Sequence, residues 1–401
     1  MDELAAGNSA DGRPIVVLHN FYQQPGGEDE VFRAETRLLS ARGHTVIPYT
    51  ASNDAIGTTA GLRTAGAALW NRRIHRELRA LFRQHRPRVA HFHNTFPLIS
   101  PAAYYAARAE KVPVVQTLHN FRLCCPNALF YRQGRPCEDC LGKALPWPGV
   151  LHACYRGSRA ASGVTAAMLG FHRALGTWNN SVDIYVTLSQ FARDKFVAAG
   201  LPADRIRIKP NFLFPEPGVG EHRGRYALFV GRLAAEKGLG TLLDAWRSIG
   251  DRYTLKVVGA GPQDHLVLQP RAGVEWHGWQ PRERVIDLMR EAAFLVLPSE
   301  WYENFPMTLV EAYATGLPVI GSGIGSLAEL IRDYDTGRRF RPTDAQDLAG
   351  VLEWAISHPE QVAEQGRNAR REFELRYTAE RNYGELLEIY RAAGEHARQS
   401  A

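Results

Sequence analysis

Pro298-Ser299-Glu300-Trp301-Tyr302-Glu303-Asn304-Phe305-Pro306-Met307-Thr308-Leu309-Val310-Glu311-Ala312-Tyr313-Ala314-Thr315-Gly316-Leu317-Pro318-Val319-Ile320 reads as a strand end, a loop, a helix and a second strand. Glu303 falls in the loop, and Glu311 falls two turns into the helix. A helix start gathers unpaired N–H groups and partial positive charge, so it suits an anion or a polyhydroxylated ligand. Strand, small-residue helix and strand in succession form one unit of a doubly wound parallel sheet.

The same alternation extends in both directions. In the second half, strands are expected at 227–230, 254–258, 274–276, 293–297 and 318–321, with helices between them. The Pro- and Gly-rich stretch Asn211–Gly224 reads as a linker. Before it, Ile15-Val16-Val17-Leu18 is a buried-strand run, followed by a loop from His19 to Pro25, the turn Gly26-Gly27 and a helix from about 28 to 42. Further strands are expected at 45–48, 89–93, 112–118 and 184–188. The fold class is therefore α/β: two Rossmann-like, doubly wound parallel-sheet domains facing a cleft at the carboxyl ends of their strands. The expected division is 1–212, carrying a Cys-rich insertion at about 120–160, then 213–378, and a final helical segment 379–401 that crosses back to the first domain.

A chain of 401 residues exceeds a single core, and 45% apolar with 22% charged residues belongs to a globular protein. Residues 1–14 lack an apolar segment of the secretory type, and no run approaches the roughly 20 apolar residues that span a bilayer. A cytoplasmic protein is expected. The net charge of +6 conceals an asymmetry: residues 1–210 carry 26 Lys+Arg against 15 Asp+Glu, the remainder 22 against 27. A basic first half suggests an anionic partner surface. No nucleic-acid module is recognisable, so nucleic acid is not expected.

Gly231-Arg232-Leu233-Ala234-Ala235-Glu236-Lys237-Gly238 places two cations directly after the first strand of the second half. Two cations there can neutralise a diphosphate leaving group. Together with the Glu303-x7-Glu311 segment, this stretch resembles the nucleotide-sugar site of retaining glycosyltransferases of the GT-B fold, family 4. The resemblance covers roughly residues 15–390 and is sharpest over 231–321. It implies sugar transfer from a nucleotide-sugar donor, with UDP, GDP or another base undetermined, to a hydroxyl acceptor such as a lipid-linked or cell-surface glycan. In that frame Arg232 and Lys237 hold the diphosphate, Glu303 approaches the transferred sugar, Glu311 the ribose, and amides near Asn304 and Phe305 the sugar or phosphates. His119, at the end of a first-half strand, would touch the transferred sugar; its neighbour Asn120 stands where many relatives carry Asp. Gly26 and Gly27 open a helix whose amides would face the donor diphosphate or the acceptor. Gly278-Trp279 is either a base-contacting loop or an aromatic packed on the core. Asp333-Tyr334-Asp335 lies in a turn after a helix, so no catalytic metal is expected. Two other readings stay open: a nucleotide-sugar epimerase, and a non-catalytic glycan- or membrane-surface-binding protein on the same scaffold.

Two further features sit in the first half. Arg72, Arg76, Arg79, Arg83 and Arg86 recur at helical spacing opposite an apolar face, with Glu77 the one acid nearby in sequence. Such a stripe suits peripheral docking on anionic headgroups, or it is a solvated face. Cys125, Cys137, Cys140 and Cys154 follow a Cys-x11-Cys-x2-Cys-x13-Cys pattern, beside an additional Cys124. The readings are structural zinc, free buried thiols, or disulfides and redox use, with His119 and His152 as substitute ligands.

Overall fold

The computed structural model describes residues 12–23, 26–55 and 61–400. Gln24 and Pro25, the end of the loop expected before the glycine pair, lie outside them. Two six-stranded sheets carry the molecule. The first runs in the order Val46–Ser52, Ile15–Phe21, Val89–Asn94, Val114–Thr117, Ile184–Thr187, Ile206–Ile208, with every neighbour parallel. The second runs Val274–Trp276, Thr254–Val258, Tyr226–Val230, Phe294–Leu297, Val319–Ser322, Gly337–Phe340, again all parallel.

Helices cover both faces, so the central strands are apolar on both sides and read as continuous runs. Ile15, Val16, Val17 and Leu18 are all fully buried, as are Leu295 and Val296. In each sheet the chain order reverses once. The reversal lies between Ile15–Phe21 and Val89–Asn94 in the first sheet, and between Tyr226–Val230 and Phe294–Leu297 in the second. The loops leaving these strands diverge to opposite faces and open a crevice, where ligands of such sheets bind.

Residues 209–225 between the sheets hold no regular element, in keeping with the Pro and Gly content of Asn211–Gly224. The two halves touch through specific polar contacts. The amides of Gln190 and Phe191, at a first-half helix start, donate to the Glu329 carboxylate at 3.0 and 2.8 Å. The last helix, Ala379–Gln399, lays Leu386, Ile389, Tyr390 and Ala393 on the first sheet beside Ile15, Val17, Val89 and Val115.

Several expectations need correction. The first strand continues through His19 and Asn20 to Phe21 instead of giving way to a loop at His19. Its polar residues are buried because they bond inward, as with Asn20 Nδ2 to Asn53 Oδ1 at 2.9 Å. Two edge strands, Ile206–Ile208 and Gly337–Phe340, were not anticipated. Each is short and carries arginine, so it lacks the apolar run that marked the others. Trp279 packs on no core: it is 73% exposed. The arginine stripe is partly neutralised, because Glu110 from the neighbouring helix pairs with Arg79 at 2.7 Å and Arg83 at 2.9 Å. Arg72, Arg76 and Arg86 are exposed.

Candidate active site

A cleft of about 500 Å³ lies between the two sheets' carboxyl ends, lined from the first half by Gly26, Gly27, Glu28, His119, Asn120 and Arg122, and from the second by Arg232, Lys237, Glu303, Asn304 and Phe305. Sequence positions more than 200 residues apart thus meet in one space.

The cation loop follows strand Tyr226–Val230. A single 3-10 turn, Ala235–Lys237, ends at Gly238 with φ +70°, and the helix Leu239–Trp246 then begins. A Cβ at residue 238 would stand 1.9 Å from the Pro298 carbonyl oxygen, so only glycine lets this turn pack under the Pro298–Glu303 loop. That packing brings Lys237 Nζ to 2.6 Å from Glu303 Oε1. Ser299 Oγ donates to the same carboxylate oxygen at 2.7 Å. Arg232 reaches into the cleft half-exposed and pairs with Glu236.

The Glu303 loop ends at Pro306, and Met307–Thr315 is helical. Its start faces the start of the first-half helix Gly27–Ala41: a Cβ on Gly27 would lie 3.1 Å from Met307 Cγ. Two positive helix ends therefore border one cleft. Asn304 Nδ2 donates to the Leu118 carbonyl at 2.8 Å and ties the donor-side loop to the strand end beside His119. Glu311 is the exception among the anticipated residues. It is buried and pairs with Arg282 at 2.9 Å, but it does not line the cleft. Burial pushes its carboxyl up, and Arg282 opposes this.

His119 rests on a buried relay. Its Nε2 lies 2.9 Å from His93 Nδ1, and His93 Nε2 lies 3.1 Å from Glu35 Oε2, whose other oxygen pairs with Lys209. Burial, with His93 and His19 close by, holds His119 well below the ordinary imidazole value. His119 is therefore neutral near pH 7, able to donate or accept one hydrogen bond but not to act as a cation.

Glu28 plays a larger part than its place after a glycine pair suggested. Its carboxylate accepts from Asn120 Nδ2 at 3.1 Å, so the acidic group that position 120 lacks stands beside it. Burial, then the adjacent Asp29, raises this carboxyl to about 8. A carboxyl whose folded value exceeds its unfolded value stabilises the fold less as pH rises between the two. Glu28→Gln is therefore expected to flatten the fall in melting temperature between pH 5 and pH 8. The gain at pH 8 should be on the order of 1 kcal/mol. A slope identical to that of the unmodified protein would refute this environment for Glu28. Arg122, stacked over Phe96 and Tyr155 at 4.7 and 4.8 Å, was also missed. Neither residue has a signal in periodicity, because each is placed by tertiary contacts alone.

Four of the five cysteines, Cys125, Cys137, Cys140 and Cys154, surround one small void behind the first-half wall of the cleft. All five are free thiols.

Comparison with known proteins agrees with this architecture. The family described as Glycosyltransferase Family 4 matches residues 25–216, and that described as Glycosyl transferases group 1 matches residues 217–372. D-rhamnosyltransferase WbpZ of Pseudomonas aeruginosa is 34% identical over 162 residues, 39% of this chain and 42% of that protein. Amylovoran biosynthesis glycosyltransferase AmsK of Erwinia amylovora is 27% identical over 226 residues, 52% of this chain and 56% of that protein. The chain thus spans about half the length of these curated relatives. Among solved structures, Anabaena Alr3699/HepE in complex with UDP and glucose superposes with a TM-score of 0.65 at 16% identity, covering 94% of this chain and 98% of that one. Sucrose-phosphate synthase from Thermosynechococcus elongatus gives 0.67 at 19% identity, with the same two coverages. Two adjoining family matches, one on each sheet, and the shared two-sheet architecture mean that this chain belongs to the family 4, group 1 glycosyltransferases of the GT-B fold.

Proposed function

We propose that this chain transfers a sugar from a nucleotide-sugar donor to a hydroxyl acceptor with retention of anomeric configuration. The observation that carries the reading is the meeting of Arg232, Lys237, Glu303 and the Met307 helix start in one cleft. As the bond from the anomeric carbon to the diphosphate breaks, negative charge grows on the leaving oxygen. Arg232, Lys237 and the helix start offset that charge, which makes a catalytic metal unnecessary. The acceptor oxygen attacks from the same face, and its proton passes to the departing phosphate oxygen. Glu303 orients the sugar hydroxyls and neutral His119 offers them one further hydrogen bond; Glu311, paired with Arg282 outside the cleft lining, would take the ribose only by leaving that pair. Trp301 Nε1 and Asn304 Oδ1 are buried without a hydrogen-bond partner in the protein. A polyhydroxylated ligand would satisfy both.

Glu28, Asn120 and Arg122 form the acceptor side. Relatives named for rhamnosyl transfer and amylovoran biosynthesis, and the basic first half, favour a lipid-linked or cell-surface glycan as acceptor, met at the cytoplasmic face of a membrane. The exposed Arg72, Arg76 and Arg86 support such docking. Exposed Trp147 and Leu151, at 54% and 53%, add apolar surface to the same half. No described helix is long and apolar enough to cross a membrane.

Melting the protein with UDP, GDP and ADP tests the donor site. The matching nucleotide at a hundredfold excess over its Kd should stabilise by about 2.7 kcal/mol, a shift of several degrees. No shift with any of the three would remove the donor-site reading. Nucleotide sugars of the responding base then separate the alternatives: slow donor hydrolysis or transfer supports the proposal, an epimerised donor supports an epimerase, and an unchanged donor supports a binding protein.

A further inference from the structure

Residues 118–158 connect strand Val114–Thr117 to helix Arg159–Ala174 with very little regular structure. They contain the two-residue strands Tyr131–Arg132 and Arg135–Pro136 and the five-residue helix Trp147–Leu151. A connection of this length with so little regular structure is uncommon in a compact domain; Phe121, Cys124, Cys125 and Phe130 anchor it in the first-half core, and a cross-link would fix the remainder. Ala128, Phe130, Gln133, Ala153 and Arg156 nevertheless adopt left-handed backbone, with φ between 49° and 67°. Conformations that side chains resist persist only where the surroundings enforce them.

The cysteines sit where such a cross-link would act. Cys125, Cys137, Cys140 and Cys154 border a void of about 10 Å³, room for a single small species, with Asn127 and Asp139 beside them. Cys124 is not among the lining residues. The four residues border this void, but no three of their sulfurs lie within 4.8 Å of one another. Among the described residues, only Glu35, His91 and His93 bring three ligating atoms within 4.8 Å of one another. That trio is committed elsewhere: Lys209 pairs with Glu35, and His91 bonds Tyr390 and Thr117 at 2.9 and 2.8 Å. Thiols have no reason to draw together without a cation. Around Zn²⁺, bonds of about 2.3 Å would bring the sulfurs to just under about 4 Å from each other.

We propose that Cys125, Cys137, Cys140 and Cys154 bind one structural zinc ion that fixes the first-half wall of the cleft. The four S–H groups release their protons as four Zn–S bonds form; Arg132, at the edge of the void, is paired with Asp139 at 2.7 Å. Four protein ligands complete a tetrahedral shell and leave no position for a reacting water. The Cys137-x2-Cys140 pair supplies one arm, and Cys125 and Cys154 anchor the two ends of the segment. The link to the cleft is short. Asn127, two residues beyond Cys125, donates to the Tyr131 carbonyl at 2.9 Å and lines the cleft together with Ala128 and Leu129; the hydrogen bond that the free Cys125 thiol donates to it gives way when the metal binds.

Elemental analysis of the full chain, purified without chelator from zinc-supplemented medium, should find about one zinc per chain. Mercurial titration of the intact protein should release it. Cys137→Ser and Cys140→Ser should lose the metal while Cys124→Ser keeps it. Should the serine variants fail to fold, cobalt exchanged into the unmodified protein should show the thiolate charge-transfer bands and the intense visible bands of a tetrahedral site. Hydrogen exchange at residues 127–131 should speed up when zinc is removed, which a metal without influence on the wall would not cause. Absence of metal from the unmodified protein, bound iron instead, or equal zinc in Cys137→Ser would each overturn the assignment. None of these readouts depends on nucleotide binding, so the zinc site and the transferase reading can fail separately.

Discussion

Lys237→Ala is expected to lower the turnover of sugar transfer by about 10²- to 10³-fold, with a smaller effect on the apparent affinity for the donor. The asymmetry follows from when the charge is needed. On the proposed reading, the diphosphate charge of the bound donor is already spread over several oxygens and shared by Arg232 and the helix starts. As the glycosidic bond breaks, a further negative charge gathers on the leaving oxygen, and an ammonium in a half-closed cleft gains most at that point. Lys237 is a quarter exposed, whereas its partner Glu303 is 7% exposed. The substitution therefore also strips Glu303 of its cation and leaves Ser299 as its remaining polar contact at that oxygen. Glu303→Gln separates the two effects: it keeps the shape and the Ser299 contact and removes the ion pair, so it reports on sugar positioning while Lys237 remains. Steady-state kinetics with the responding nucleotide sugar, alongside melting curves to confirm folding, give the answer. Equal turnover in Lys237→Ala and the unmodified protein would remove Lys237 from the diphosphate site.

The sequence made some of this legible and withheld the rest for physical reasons. Strands buried on both faces announce themselves as runs such as Ile15–Leu18, so the two parallel sheets could be anticipated. The Arg232–Lys237 loop and Glu303 could be placed because a strand end, a helix start and a glycine fix backbone direction locally. Glu311 shows where local reasoning stops. Its position in the helix was clear, but which way it faced depended on Arg282, about 30 residues away. The same holds for the arginine stripe, whose neutraliser Glu110 comes from a neighbouring helix, and for Glu28, whose environment is made by Asn120. The edge strands Ile206–Ile208 and Gly337–Phe340 were missed because an edge needs no apolar run on both faces.

Lys209→Met is expected to destabilise the protein by about 3–5 kcal/mol at neutral pH. Lys209 and Glu35 are each 1% exposed, one just past the edge strand Ile206–Ile208 and the other on helix Gly27–Ala41. Burial pushes the Glu35 carboxyl up, but Lys209, His93 and His91 together outweigh this and hold it well below the usual carboxylate range. A depressed value means that the stabilisation is present above about pH 4.5 and is lost as pH falls through the folded value. Without Lys209 the buried carboxylate keeps only His91 at 3.7 Å and His93 at 3.1 Å as polar neighbours able to carry a proton. The gap between variant and unmodified protein should therefore narrow as the pH is lowered below about 4.5. The double variant Glu35→Gln/Lys209→Met should recover much of the loss, because it leaves no buried charge unpaired. Thermal or urea unfolding at pH 7 and pH 4 measures both effects, and a loss that is the same at the two pH values would show that packing, not charge, had been removed. The same carboxylate stands at the base of the relay through His93 to His119. Rescue of stability by the double variant without rescue of turnover would then show that the relay orients the cleft histidine as well as supporting the core.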